Sequence, residues 1–516
     1  MPELNNVKYI EIMDTTLRDG EQMKGVSYSK QEKLSLAKML LEEVNVDRIE
    51  ITSARVSEGE KESSKLIIQW AKSKNRLQQI EILGYVDINK SVDWLKEVGC
   101  NVMNLLAKGS LNHLTHQLRK TKEEHVSDIL KTLDYATKNG ISINIYLEDW
   151  SNGIKSSKDY VYYLIETLKT TNIKRFMLPD TLGILYPSET KVFISSLTND
   201  FPNLHFDFHA HNDYGLACSN TLSAIEGGVS GVHVTVNGMG ERAGNVSIDE
   251  VVAGMNDFSQ INAKNKINEK MINKISKEVE IFSGFRISFN KPILGSNVYT
   301  QTAGIHADGD LKANLYANPL LPERFGRERT YALGKLSGMA SLEKNLNNLD
   351  IDLSEEEKKK VLQRIIELGD KKESITEEDL PYIISDILET PISKPFKIKS
   401  CVVITNKNLK PMATVLVEYQ EKEIQEISSG DGGYDAFMKA IKKIADHFNL
   451  TLPKLENYYV IIPPGGKTDA LVQTTITWSN GVTFKTKGVD SDQLLSAVEA
   501  TEKMINIVVS NITKGK

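Results

Sequence analysis

Cysteine is scarce and scattered in this chain of 516 residues: Cys100, Cys218 and Cys401 form no CxxC pair. Their spacing excludes a disulfide-built scaffold and fits small buried apolar residues in a reducing, cytoplasmic setting. The opening Met1-Pro-Glu-Leu-Asn-Asn has neither a basic n-region nor an apolar h-region, so a secretory signal is not expected. No stretch approaches the ~18 consecutive apolar residues that a membrane span needs. Basic excess is missing too: 63 Lys and Arg against 69 Asp and Glu leave a formal charge of −6. That balance offers no general reason to bind nucleic acid or an anionic membrane. A glycine-rich nucleotide turn is also absent, since Arg18-Asp-Gly-Glu-Gln-Met-Lys-Gly25 is not GxGxxG. What remains, 40% hydrophobic and 26% charged, is a globular composition, and the length suggests roughly three domains.

Eight times in the first 255 residues a short apolar strand runs into a helical pattern. The strands are Tyr9 to Met13, Arg48 to Ile51, Ile80 to Leu83, Val102 to Leu106, Ile141 to Tyr146, Arg175 to Leu178, His205 to Phe208 and Val232 to Val236. The helices are expected over 29–43, 58–74, 90–98, 121–139, 158–170, 188–199, 215–227 and 248–256. Alternation of this kind means βαβ units and a parallel sheet, and eight units in this length mean a TIM barrel. The α/β fold expected is therefore a (β/α)8 barrel over 1–285, a mostly helical linker region over 286–392 and an α/β domain over 393–516. In the linker region, glycine, asparagine and basic residues dominate 291–338. Ser354-Glu-Glu-Glu357 then reads as a capping box for a helix over 355–368, with Gly369 past its end, and Thr376-Glu-Glu-Asp379 opens another. The charge run 355–360 reads as a solvated helix face, and Pro391-Ile-Ser-Lys-Pro395 as a linker. In the last domain strands are expected near 398–404, 413–419, 457–462 and 471–478, with helices near 434–448 and 490–509.

Polar residues gather where the barrel strands end, the face on which such barrels keep their chemistry. They are Asp14, Arg18 and Asp19; Thr52 and Arg55; Lys108; Glu148; Asp180 and Thr181; His209 and His211; and Asn237, Glu241 and Asn245. Imidazoles at i and i+2 of a strand leave on one face, so one ion can take both His209 and His211. With Asp19 and the amide oxygen of Asn245 they make a mixed N/O set that leaves coordination positions open. That set suits Zn, Mn, Co or Mg and does not decide among them. Arg18 beside such a site reads as an electrophile for an enolate or alkoxide oxygen, or else as a rim salt bridge. Glu148 reads as a ligand-orienting group or a general base. Leu83, Leu106 and Tyr146 are placed to line a pocket beside the metal, although any of the three taken alone reads better as core packing.

These segments carry a resemblance. Leu17-Arg-Asp-Gly-Glu-Gln22 followed by Lys33, Phe206 to Ser219, and Asn237-Gly-Met-Gly-Glu-Arg-Ala-Gly-Asn245 resemble the signatures of the acetyl-CoA/2-oxo acid condensing synthases of the DRE-TIM superfamily. That family comprises isopropylmalate, citramalate and homocitrate synthases. The resemblance extends through 302–310 and 430–435 to essentially the whole chain, and is strongest to long-type citramalate synthases. Two departures, Lys24 for a common proline and Ala210 for a common glycine, remove no functional group.

The resemblance implies that Asp19, His209, His211 and Asn245 hold the metal, which a 2-oxo acid chelates beside Arg18 and Thr181. It implies that Glu148, assisted by His306 and Tyr316, takes the methyl proton of acetyl-CoA, the co-substrate. It also implies a homodimer, because the linker region of such enzymes reaches the partner's barrel. The reaction implied is condensation with pyruvate and hydrolysis to (R)-citramalate in isoleucine biosynthesis. The alternative is 2-oxoisovalerate and 2-isopropylmalate in leucine biosynthesis. The wall of Leu83, Leu106 and Tyr146 suits the single methyl of pyruvate, because a filled pocket rejects extra methyls by clash. The last domain resembles an allosteric amino-acid-binding domain, with Tyr434, Asp435, Leu455, Tyr458 and Ile462 as the pocket and isoleucine or leucine as the feedback ligand.

Other readings fit less. A hydroxyacyl-CoA lyase would lack the linker histidine and the last domain. A biotin-dependent carboxyltransferase finds no biotinyl domain here. A phosphate turn at 430–433 lacks a following lysine or serine. A dead-barrel sensor would lack Arg18 or Glu148.

Overall fold

The computed structural model describes residues 9–259, 261–303, 305–306, 308–309, 315–316, 318–349, 351–370, 375, 377–388, 395–462, 472–481 and 483–514. Outside them fall the N-terminal Met1 to Lys8, Gly304, Ala307 and Asp310 of the 302–310 motif, the expected cap Thr376 and most of the 391–395 linker. The chain divides into two compact units, Met1–Thr300 with Ala317–Arg329 and Gln301–Tyr316 with Thr330–Lys516.

The first unit is built on eight parallel strands: β1 (Tyr9–Asp14), β2 (Arg48–Ser53), β3 (Ile80–Tyr85), β4 (Val102–Lys108), β5 (Ser142–Glu148), β6 (Phe176–Asp180), β7 (Phe206–Ala210) and β8 (Gly231–Val234). Each pairs with the next, and β1 pairs with both β8 and β2, so the sheet closes. Closure without edges is the TIM barrel. The strands alternate. Ile10, Ile12, Ile49, Ile51, Ile80, Ile82, Ile143, Ile145, Phe206 and Phe208 belong to the main apolar core beneath the helices. The intervening residues, among them Glu11, Arg48, Glu50, Glu81, Asn104, Asn144, Asp207 and His233, are equally buried but polar. Successive side chains of a strand leave on opposite faces, so the polar set fills the barrel interior.

There it is paired throughout. Arg48 donates to Glu81 at 3.0 Å and to Asp207 at 2.7 Å, and lies 3.2 Å from Glu11. Arg175 and Lys264 reach Glu11 at 2.8 and 2.7 Å. Asn144 donates to Asn104, which donates to Glu50. Burial opposes the charge of Glu11, but Arg48 and Arg175 outweigh it and bring its carboxyl down to about 2. Gly231 is required by this crowding: a Cβ there would stand 2.2 Å from Asp207 Oδ1.

The expected helices are found, with local differences. The first runs as α-helix over Lys30–Lys38, then widens to a π-turn over Met39–Val44 that ends on left-handed Asn45. Three α-helices lie outside the sequence expectation, Trp150–Ser156, Glu269–Ser283 and Met339–Asn348. In the second unit, helices Met339–Asn348, Glu355–Asp370 and Leu380–Leu388 bury Leu342, Leu346, Val361, Ile365 and Leu380 together. The capping box is present, Ser354 N donating to Glu357 at 2.7 Å. The helix does not stop before Gly369, because that glycine lies inside it where a Cβ would meet Lys335 N at 2.2 Å.

The last domain is two ββ-β-α groups: strands Phe396–Asn406, Leu409–Tyr419 and Lys422–Ser429 with helix Gly433–His447, then Lys454–Ile461, Val472–Ser479 and Thr483–Asp490 with helix Gln493–Lys514. Both sheets are antiparallel and share a core including Val415, Phe437, Ile476 and Trp478. The strands at 422–429 and 483–490 escape a search for apolar runs. In Lys422-Glu-Ile-Gln-Glu-Ile the isoleucines fall three apart, so Ile424 packs on the core while Ile427 lies exposed on the other face. Among the described residues no helix is long and apolar enough to cross a membrane.

Candidate active site

The turn after β1 carries Arg18 and Asp19 into the barrel mouth. Asp14, buried, accepts from Thr16 N at 2.9 Å and Thr16 Oγ1 at 3.0 Å, and burial pushes its carboxyl up to about 7. At the end of β7, His209 and His211 present Nε2 atoms 3.4 Å apart. Asp19 Oδ2 lies 3.4 Å from His209 Nε2 and 3.9 Å from His211 Nε2. All three residues are buried, and their ligand atoms fall within 4.8 Å of one another. Burial disfavours protonation of both rings; it takes His211, beside His209, down to about 4. Burial works against the charge of Asp19 as well, yet Arg18 and the two histidines hold it well below the usual carboxylate range. Neutral imidazoles beside an ionised carboxylate are the form in which these groups bind a cation.

Asn245 completes the group. Its Nδ2 donates to Asp19 Oδ1 at 3.0 Å and to the Met239 carbonyl at 3.0 Å. Its Oδ1 is buried with no hydrogen-bond partner. An orphaned amide oxygen beside two bare imidazole nitrogens and a carboxylate fits a divalent cation, and leaving it unpaired otherwise carries a cost of about 1–3 kcal/mol. Gly240 makes the approach possible. Its φ is +151°, and a Cβ there would stand 2.2 Å from Asn245 Nδ2.

Arg18 is clamped from three sides. Its Nε donates to Glu50 at 2.5 Å, its Nη1 to Asp19 at 2.9 Å, and its Nη2 reaches the Tyr146 hydroxyl at 3.4 Å. The guanidinium also stands 5.7 Å from the centre of the Tyr146 ring. Leu83 and Tyr146 form, with Met13, Met177 and the partly buried Leu106, an apolar island separate from the main core. Glu148, at the end of β5, is ion-paired with Lys108. Thr181 Oγ1 accepts from Asp149 N at 2.9 Å, and its carbonyl accepts from Arg242.

Several residues expected at the mouth serve other ends. Arg55 is an exposed partner of Asp87, and Glu241 is exposed beside Arg242. Asp180 accepts from Ile184 N and Leu185 N and so shapes a turn. Asn237 exchanges hydrogen bonds with Ser276, which ties the loop to helix Glu269–Ser283. His306 and Tyr316 belong to the second unit, where their rings stack with centroids 4.2 Å apart. In the last domain Tyr434 and Tyr458 meet at 5.1 Å, and Tyr434 hydrogen-bonds Thr501. Asp435 is an exposed partner of Lys439, and Leu455 and Ile462 are 37% and 60% exposed. Sequence reasoning passed over Glu50, Asn104, Met13, Met177 and His233. Their signal was the polar or sulfur residue at every second position of the strands.

The HMGL-like family matches residues 9–279, the homocitrate synthase post-HMGL domain-like family 293–373, and the LeuA allosteric (dimerisation) domain 374–509. Relatives match along the full length. An (R)-citramalate synthase of Methanocaldococcus jannaschii is 33% identical over 97% of this chain and 100% of its own. A putative (R)-citramalate synthase of Methanothermobacter thermautotrophicus is 32% identical over 97% and 98%. A 2-isopropylmalate synthase of M. jannaschii is 31% identical over 100% and 97%.

Proposed function

This chain belongs to the acetyl-CoA/2-oxo acid condensing synthases of the HMGL-like family, and from that premise we propose that it condenses acetyl-CoA with pyruvate and hydrolyses the thioester to (R)-citramalate and CoA. The observation that carries this reading is the buried Asp19, His209 and His211 cluster with Arg18 clamped against it over Tyr146. Asp19, His209, His211 and Asn245 Oδ1 would hold a divalent cation, Mn, Mg, Zn or Co. When bound, that ion supplies Lewis-acid polarisation of the carboxylate and keto oxygens of the 2-oxo acid.

The chain's own groups do the rest. Arg18, its guanidinium fixed by Glu50 and Asp19, faces the oxygen on which negative charge develops, and a pre-positioned cation needs no reorganisation as that charge appears. Glu148 accepts the methyl proton of acetyl-CoA, and the resulting enolate attacks the keto carbon. Lys108, paired with Glu148, holds that carboxylate in place. His306 and Tyr316 assist the proton transfer, so His306→Ala is expected to lower kcat with metal content unchanged. The side chain of the oxo acid packs on Leu83, Leu106 and Tyr146, with Thr181 at its polar end. A homodimer is in keeping with the dimerisation-domain match, a cytoplasmic setting with three free cysteines, and isoleucine feedback with the Tyr434 and Tyr458 pair.

The test is thiol release from acetyl-CoA with Mn or Mg across pyruvate, 2-oxobutyrate, 2-oxoisovalerate and 2-oxoglutarate. A preference for pyruvate by kcat/KM is expected. A preference for 2-oxoisovalerate would make it a 2-isopropylmalate synthase with leucine as effector, the second reading, which the 31% identical relative favours. No release with any of the four would remove the condensing activity itself.

A further inference from the structure

The Tyr146 hydroxyl lies 3.1 Å from Nδ1 of His233, a residue of β8 that the reaction above does not use. On its other side His233 presents Nε2 to Asp207 Oδ2 at 3.2 Å. That carboxylate is saturated with donors: Arg48 gives Oδ2 a hydrogen at 2.7 Å, and His205 Nε2 faces Oδ1 at 2.8 Å. An ionised carboxylate only accepts, so His233 Nε2 carries the ring's hydrogen and Nδ1 of the buried neutral ring is a bare acceptor. The hydroxyl of Tyr146 therefore donates to His233. The other acceptor in reach, Glu50 Oε2, is farther away at 3.5 Å and already takes the shorter bond from Arg18.

A phenol has one hydrogen to give. With that hydrogen committed downward to His233, the lone pairs of Tyr146 face Arg18 Nη2, and the hydroxyl is not free to donate to a substrate. The ring is held as well, edge-on to His233 at 5.5 Å and to His209 at 6.1 Å between centroids. We propose that His233 is a positioning residue which, through the hydrogen bond it accepts from Tyr146, locks that ring and so sets the size of the 2-oxo acid pocket. This rests on the condensing reaction proposed above. A locked ring rejects a branched oxo acid by clash. A released ring can swing toward Leu106 and Met177, its neighbours in the same apolar island, and make room.

The experiment compares wild type, Tyr146→Phe, His233→Leu, His233→Gln and the Tyr146→Phe/His233→Leu double variant, each metal-loaded. Thiol release is followed with pyruvate and with 2-oxoisovalerate. The expected result is a fall of about tenfold or more in the pyruvate to 2-oxoisovalerate ratio of kcat/KM for His233→Leu, the span of one or two misjudged methyl groups. Tyr146→Phe should match it, the double variant should go no further, and His233→Gln should recover part of the selectivity, all with metal content unchanged. Equal losses for both substrates, or losses that add in the double variant, would overturn the proposal. Should His233→Leu fail to fold, Tyr146→Phe carries the same prediction. Nitrogen-15 spectra of histidine-labelled wild type decide the hydrogen bond without turnover. An Nε2–H tautomer whose bare Nδ1 signal moves in Tyr146→Phe supports it, and an Nδ1–H tautomer overturns it. A wild type that condenses neither substrate, while the spectra agree, would fault the reaction and with it the pocket role but leave the hydrogen bond standing.

Discussion

The same eight strands bury two chemically opposite surfaces. Outward, Ile49, Ile82, Ile145 and Phe208 pack under the helices as an apolar layer. Inward, Arg48, Glu81, Asp207 and Glu11 form a buried ion network below the candidate active site. The outer layer gains from any burial, roughly 1.5–3 kcal/mol for each large side chain, and tolerates reshaping. The inner network gains little net energy over an apolar filling, because desolvating the ions offsets their attraction. What it supplies is direction. Arg48 is fixed by partners on three strands, and the chain of contacts ends at Tyr146 and Arg18 (through His233 and Glu50), where a fixed geometry is what catalysis uses. The layer outside makes the barrel stable, and the network inside makes its mouth rigid.

That contrast breaks most visibly at Arg48. Replacing it with Met leaves Glu81 buried without its cation and takes the arginine from Asp207 and one of three cations from Glu11, so about 3–5 kcal/mol of stability is expected to go. Urea unfolding of the barrel reads the loss directly. A cost below about 1 kcal/mol would mean that the carboxylates simply take up protons, and that the network is softer than its distances imply. The next largest effect belongs to catalysis. Arg18→Ala should lower kcat by about 10²–10³-fold, the cost of one oxyanion donor, while metal content by elemental analysis stays at the wild-type value. Appreciable condensation by that variant would take Arg18 out of the mechanism.

Much of this was legible in the sequence, for a physical reason in each case. The barrel followed from eight strand–helix alternations, and the Asp19, His209 and His211 cluster from His-x-His and an Arg-Asp turn, because period and residue type report which face a side chain leaves on. The inner network was not read, although Arg48-Ile-Glu-Ile and Phe206-Asp-Phe-His alternate plainly. A charged residue at every second position looks like a solvated face until closure turns that face inward. Helix Glu269–Ser283 fell in a stretch read as the barrel's tail.

A polar group on the outward side tests the comparison from the other direction. His125 lies in the helix Lys122–Lys138, buried, with Nδ1 2.8 Å from the Tyr160 hydroxyl and no carboxylate hydrogen-bonded to it. Burial, helped by Lys120, takes its imidazole down from 6.5 to about 4. The folded state then binds fewer protons than the unfolded between those values, so stability falls as pH drops through 6.5 and the loss is complete below 4. The term reaches about 2 kcal/mol at pH 5. His125→Gln should therefore lose less stability than wild type between pH 7 and pH 5, by that amount. Parallel curves would show that the ring is already protonated or solvated in the fold.

The smallest effect is the most discriminating, because it concerns the neighbour of Arg48 in the chain. Ile49→Val removes one methylene from the outward layer, where the side chain is fully buried among apolar neighbours. Transfer and a small void together set the cost at about 0.5–1.5 kcal/mol. Ile49 packs in the apolar core cluster, so the loss should be the same in low and high salt and should leave kcat, KM and substrate preference unchanged. Arg48→Met, one residue away, should instead disturb substrate preference as well as stability, since Asp207 and His233 lean on it. If both substitutions moved selectivity alike, the division of labour between the two faces of one strand would be wrong, and rigidity at the mouth would come from general packing rather than from the inner network.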